Sequence, residues 1–429
     1  MKNILLLIIC AINLLPVMMQ AQNPICPEGT FFADPSARQF GDSTVYLYGS
    51  CDENADYWCS YRNDVLSSTD MHTWAVHSNV FASKGKNDEV QGTDALLFAS
   101  DCIQKESLYY LFFCTPDKSF SEGIAVAHSP VSPFRNGRKI RGCVGIDPTV
   151  LVDEDGSIYY YWGQNSLCGA KLNADLCSVD SVRKDILTER QHFFHEGAQA
   201  FRRGDMYYLT YTSKVRKDKA TCIAYSTASS PWGPFTYRGV IIDNAGCDPQ
   251  NWNNHGSVAN INGRWYVFYH RSTNGTKVFR KACVEPIQFD ENGLIKEVEM
   301  TSNGASGFLN PFKETEARLV CKLSGNVRII TDAGGQERLS GIKDGDTAIF
   351  RYFAFDKCPG QVTLGVKPGQ GGQVTVMIDG KPVGKITVPK GELIAQGKLS
   401  GKIAKGIHSV KFRFDGPDCM FELDNFKFE

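Results

Sequence analysis

The chain has 429 residues, too many for one ordinary hydrophobic core, which points to two domains. Hydrophobic residues make up 42% and the formal net charge is -1, values of a globular protein with no basic stripe for nucleic acid.

Residues 1–21 read as a secretory signal, with Lys2 as the positive end, Ile4 to Ile12 as the apolar stretch and Met19-Gln20-Ala21 before the cleavage point. Asn13 and Pro16 interrupt the apolar run, so it is a poor membrane anchor. The expectation is an exported protein, periplasmic or secreted, without a membrane span. Fourteen cysteines follow Cys10, scattered and without Cys-x-x-Cys spacing. Cys51 and Cys59 are a possible local pair; the others suit small buried core positions.

Five aromatic runs then recur: Val45 to Tyr48, Leu108 to Phe112, Ile158 to Trp162, Met206 to Tyr211 and Trp265 to Tyr269. Each is strand-like, and each follows a turn signal such as Gly41-Asp42-Ser43 or Asn262-Gly263-Arg264, so each unit contains a hairpin. About ten residues before each run stand Asp34, Ala99, Asp147, Glu196 and His255. A period of roughly fifty to sixty residues leaves room for two more strands per unit, which predicts a five-bladed β-propeller over about residues 24–305. Innermost strands line the axis of a propeller, so Asp34, Asp147, Glu196 and His255 should meet at one mouth. Two Ser-Pro turns, Ser129 to Phe134 and Ser230 to Phe235, read as the same outer-blade crossing in different blades.

Small polar residues from Thr301 to Phe308 mark a linker. Residues 309–429 alternate short strand patterns with glycine turns, as in Gln373 to Ile378 before Asp379-Gly380, and predict a β-sandwich of jelly-roll type. The fold class is therefore all-β.

Three carboxylates at one mouth suit glycoside hydrolysis, which needs a protonated acid at the leaving oxygen and an ionised carboxylate on the opposite face. Ala33-Asp34-Pro35, Gly145-Ile146-Asp147-Pro148, His195-Glu196-Gly197-Ala198 and Asn254-His255-Gly256 occur in the order and spacing that resemble glycoside hydrolase family 43. The resemblance implies Asp34 as general base, Glu196 as general acid, and Asp147 as the residue that keeps the acid protonated and in place. It implies further that His255 faces a channel ion through water, a core histidine bonded to a backbone carbonyl being the alternative, and that Arg280 contacts substrate, a surface or inter-blade salt bridge being the alternative. Trp252, in the loop before His255, is expected at the pocket rim, stacking on sugar or packing. Inversion, the family's outcome, calls for a separation of about 6.5 to 9.5 Å between the Asp34 and Glu196 carboxyls. Phe98-Ala99-Ser100-Asp101 departs from the family pattern in lacking a proline.

The C-terminal segment resembles carbohydrate-binding module family 6, which implies a structural calcium held through Glu314, Glu316 and Asp424. It contains no tryptophan and one tyrosine, Tyr352, which argues for docking or stabilisation over glycan binding. The expected function is inverting, exo-acting release of terminal α-L-arabinofuranose from plant polysaccharide by a monomer needing no cofactor for the chemistry. β-Xylosidase and exo-β-1,3-galactosidase are the alternatives on this scaffold, and a non-catalytic glycan-binding propeller is the alternative of another class.

Overall fold

The computed structural model describes residues 22–217, 220–418 and 420–429; the expected signal at 1–21 lies outside them. Blade one comprises β1 (Phe32–Gln39), β2 (Val45–Cys51), β3 (Arg62–Ser68) and β4 (Ala75–Ala82). Blade two follows with β5 (Phe98–Lys105), β6 (Leu108–Cys114), β7 (Glu122–Ala127) and β8 (Arg135–Lys139). Blade three has three strands, β9 (Thr149–Val152), β10 (Ile158–Trp162) and β11 (Cys168–Lys171). Blade four is β12 (Phe194–Arg203), β13 (Met206–Ser213), β14 (Cys222–Ala228) and β15 (Thr236–Ile242). Blade five is β16 (Ser257–Ile261), β17 (Arg264–Thr273) and β18 (Thr276–Pro286). The expectation of four strands in every blade fails for blades three and five. In blade five the segment from Asn23 lies along β18, where Ile25 N–H donates to the Ala282 carbonyl at 2.9 Å and so occupies the outer position.

All five aromatic runs are second strands of their blades, and most of their residues are buried between neighbouring blades, while Leu108, Tyr109 and Tyr110 at the start of β6 are only partly covered. Rings meet across successive blades: Phe81 with Phe113 at 4.8 Å, Phe112 with Tyr160 at 5.5 Å, Phe201 with Trp265 at 5.3 Å. The Ser-Pro turns have a matching role. Tyr48 of blade one donates its hydroxyl to the Pro130 carbonyl, and Tyr161 of blade three to the Pro231 carbonyl, so each turn clips its blade to the one before.

Hydrogen bonds run around the axis through every blade. The buried Asp101 carboxylate accepts from Ser36 Oγ, Arg38, Thr149 Oγ1 and Val150 N–H. Thr149 Oγ1 accepts from Ala200 N–H, Gln199 Oε1 accepts from Val258 N–H, and Ser257 Oγ donates to the Pro35 carbonyl, which returns the circuit to blade one. Asp101 thus faces the hub, and the motif that lacks proline serves ring closure.

The second domain contains β19 (Thr315–Glu316), β20 (Lys322–Ser324), β21 (Arg328–Thr331), β22 (Glu337–Ser340), β23 (Thr347–Phe355) and β24 (Gln361–Lys367). It continues through β25 (Gly372–Ile378), β26 (Lys381–Val388), β27 (Ile394–Lys398), β28 (Gly406–Asp415) and β29 (Glu422–Phe428). One sheet runs β21-β22-β29-β24-β27 with β19 on β29, the other β20-β23-β28-β25-β26. Alternate residues point inward, as the pattern in β24 shows, and Phe350, Phe412 and Phe426 meet at 4.8 to 5.8 Å between the sheets. Among the described residues no helix is long and apolar enough to cross a membrane.

Candidate active site

The innermost strands deliver their residues to one mouth by a repeated kink. Asp34 and Asp147 take positive φ, 53° and 56°, and the pairing of β1 with β2 slips between Ala33 and Ser36. In β12 the register shifts on both sides of Glu196, and Gly197 follows at φ 59°. Such bulges turn a side chain off the strand face and cluster where function needs it. Glycine is required at 197 for a second reason: a Cβ there would stand 2.6 Å from the His255 ring.

Asp34, Asp147, Glu196 and His255 line one cavity of about 380 Å³, together with Arg280 and Trp252. All six residues expected at the site are therefore brought together. Asp34 Oδ2 accepts from Ser50 Oγ at 2.7 Å; its Oδ1 meets Arg280 at 2.9 Å and His255 Nδ1 at 3.3 Å. Burial pushes the Asp34 carboxyl up, yet Arg280 and then His255 hold it well below the usual range, so it is ionised, as a base must be. Its backbone N–H donates to His270 Nδ1 at 3.2 Å, while His270 Nε2 faces Asn253 Oδ1 at 3.0 Å. Burial brings His270 down to about 4, which fits a neutral ring with its proton on Nε2.

Arg280 is only 2% exposed. Beyond Asp34 it donates twice to Asp52, at 2.9 and 2.8 Å, and Trp58 lies over its guanidinium at 4.7 Å. Arg280 thus secures Asp34 while lining the pocket. Glu196 Oε2 accepts from Gln164 Nε2 at 2.7 Å, and Trp252, 55% exposed, stands at the rim.

Asp147 Oδ2 accepts from Gly197 N–H at 3.1 Å, which ties it to the residue after Glu196. Burial raises the Asp147 carboxyl to about 7; His255 opposes, and the charges of Glu196 and Asp34 add to the rise. Because the folded value lies above the ordinary 3.8, this proton contributes stability in full below about pH 4, and the contribution is lost as pH rises through 7. Asp147→Asn is therefore expected to flatten the decline in melting temperature between pH 5 and 8. A decline as steep as the wild type's would contradict it.

Asp52, Trp58, Gln164 and His270 were not legible as site residues from motif alone. Ser50, Gln164 and His270 share one signal: each closely follows its blade's aromatic run. Antiparallel pairing places that end of the second strand opposite the start of the first, as Ser50 opposite Ala33 shows. The suggested Cys51–Cys59 pair is not formed. Both thiols are free: Cys51 Sγ accepts from Asp64 N–H, and Cys59 Sγ faces Arg280.

The residues expected around calcium are near one another in part, since Glu316 pairs with Asn425, the neighbour of Asp424. Guanidinium groups already accompany them: Arg318 binds Glu316, and Arg338 Nε lies 3.9 Å from Asp424, while Glu314 is exposed. Among the described residues no group of three or more His, Cys, Asp or Glu is disposed to hold a metal ion; calcium also takes backbone carbonyl oxygens. Burial opposes the charge of His255, but Asp34, Asp147 and Glu196 raise its pKa to about 9.

The sequence matches the model for glycosyl hydrolases family 43 over residues 21–295. The chain belongs to glycosyl hydrolase family 43. It is 29% identical to a xylosidase/arabinosidase of Thermoclostridium stercorarium, over 92% of this chain and 96% of that one. An arabinoxylan arabinofuranohydrolase of Bacillus subtilis is 27% identical, over 92% and 90%. Among solved structures, a family 43 β-xylosidase/α-arabinofuranosidase from a compost metagenome superposes with a TM-score of 0.57 and 27% identity, covering 66% of this chain and 98% of that one. A Bacillus subtilis arabinoxylan arabinofuranohydrolase covers 96% and 99% with a TM-score of 0.55 at 24% identity, a likeness of fold through both domains. This family 43 protein is a glycoside hydrolase of the arabinofuranosidase or xylosidase type.

Proposed function

We propose that this family 43 hydrolase is an exported, inverting exo-glycosidase that removes terminal α-L-arabinofuranose from the side chains of a plant polysaccharide such as arabinoxylan. The observation that carries the reading is a cavity of about 380 Å³ lined by the ionised Asp34 together with Glu196 and Asp147. Supporting it, relatives matched through most of both chains are named arabinoxylan arabinofuranohydrolases.

In the proposed step Asp34 removes a proton from water as its oxygen attacks the anomeric carbon. Glu196 gives its proton to the glycosidic oxygen as the carbon–oxygen bond breaks. Asp34 ends protonated and Glu196 ionised, and exchange with solvent restores both. Asp147, held to Gly197 N–H, fixes the bend that aims Glu196.

The test is hydrolysis of α-L-arabinofuranosides, β-D-xylosides and β-D-galactosides beside wheat arabinoxylan, with the anomer first released identified by proton NMR. Arabinose of inverted configuration is expected. Preferential release of xylose would replace the sugar assignment by the β-xylosidase reading, and product of retained configuration would overturn the role of Asp34.

A further inference from the structure

β18 carries two cations on opposite faces. Arg280 points into the pocket, and the next residue, Lys281, points away from it, buried with 1% of its side chain exposed. Its ammonium pairs with Glu337 at the start of β22 in the sandwich, and donates to the Pro27 carbonyl at 3.1 Å. The same Glu337 oxygen accepts from Gly29 N–H at 2.9 Å. Gly29 stands five residues before Asp34, in the segment that leads into β1. One fully covered carboxylate of the second domain therefore grips both the strand bearing Arg280 and the approach to the strand bearing Asp34.

The contact is tight and locally built. Gly29 has φ +70°, and a Cβ on it would stand 3.2 Å from Gly335 Cα, so backbone packs on backbone across the domains. Phe32 pairs with Lys281 between β1 and β18, the Phe31 and Phe279 rings meet tilted at 4.7 Å, and Lys281 lies over Phe31 at 5.3 Å. A second grip acts on the β17–β18 turn, where Asn274 N–H donates to Ile329 and Asn274 Oδ1 accepts from Thr331 N–H.

We propose that Glu337 is a positioning residue for hydrolysis: through Lys281 and Gly29 it seats β18 against β1 and so holds Arg280 on the Asp34 carboxylate. The sandwich is then part of the catalytic apparatus without touching substrate. The inference rests on Asp34 being the base of the reaction proposed above. Around Asp34 the charged and titratable groups are Arg280 from β18, His270 from β17, His255 ahead of β16 and Asp147 ahead of β9, with Asp52 and Cys59 behind Arg280. Of these only Arg280 is on the strand that Glu337 holds.

Glu337→Gln keeps the shape but leaves the Lys281 ammonium without its counter-charge. The expected result is a fall of roughly tenfold or more in kcat with little change in KM, since misplacement far from the chemistry costs on this scale. The acid limb of kcat/KM against pH should move upward, as should the Asp34 carboxyl titration followed by carbon NMR. Lys281→Met, which cuts only the arm to β18, serves as the second variant should Glu337→Gln fail to fold. Asn303→Ala removes the side-chain bonds to the Tyr352 backbone, which involve neither Lys281 nor Gly29, and should lower the melting temperature without moving the acid limb. A Glu337→Gln or Lys281→Met protein that melts earlier but keeps the wild-type limb and Asp34 titration overturns the proposal. Should the wild type hydrolyse none of the glycosides, the functional reading fails instead, and the Asp34 titration alone still decides whether Glu337 holds Arg280 on Asp34.

Discussion

Glu196→Gln is expected to lower hydrolysis of arabinoxylan by roughly a hundred- to ten-thousand-fold, the range that general acid help supplies. Glutamine retains an oxygen to accept from Gln164, so the pocket should keep its shape and KM should change little. The loss should depend on the leaving group. A sugar alkoxide departs only with a proton, whereas 4-nitrophenolate is a stable anion that needs little help, so the same variant should retain far more of its rate on the aryl glycoside. Steady-state kinetics on both substrates measure the contrast. Equal losses on the two would remove Glu196 from the acid role and point to a change in binding or folding.

Asp34→Asn is expected to be as damaging to turnover and, in addition, to weaken the fold. The amide cannot take a proton from water, which again predicts a loss of roughly a hundred- to ten-thousand-fold in kcat. Removing one partner of a buried ion pair costs roughly 3–5 kcal/mol where nothing compensates. Here Asp52 still holds Arg280 by two hydrogen bonds, so the loss should be smaller. The sign with pH follows from the direction of the shift. The folded Asp34 value lies below the ordinary 3.8, so its contribution is present above about pH 4 and vanishes as pH falls through the folded value. The melting temperatures of wild type and variant should differ most near neutrality and converge in acid. An Asp34→Asn enzyme with more than about a tenth of the wild-type rate would be incompatible with general base catalysis of this size.

Much of the site was legible because a propeller turns sequence period into spatial coincidence. Once the five aromatic runs are aligned, the residues about ten positions earlier must converge on the axis, and Asp34, Asp147, Glu196 and His255 do so. Positions outside that register were hidden. Asp52 and Arg280 lie 228 residues apart and meet only because the ring closes blade five on blade one. Trp58 belongs to an irregular loop between β2 and β3, where no periodicity reports direction. Asp101 lies two residues past the registered Ala99, and only the folded strand turns it to the hub, where two blades supply its donors in addition to its own.

The sequence by itself determined the all-β class, the five-fold repeat, the second domain and the carboxylates that share a mouth, since period-2 burial and turn chemistry are local and repeat themselves. The tertiary structure alone decided the charge of each group. Asp34 is ionised because Arg280 and His255 oppose its burial, and the Asp147 carboxyl is raised to about 7 because burial and two neighbouring carboxylates outweigh His255. Those balances depend on distances of about 3 Å between residues far apart in the chain, and on water excluded by packing that no spacing along the chain records.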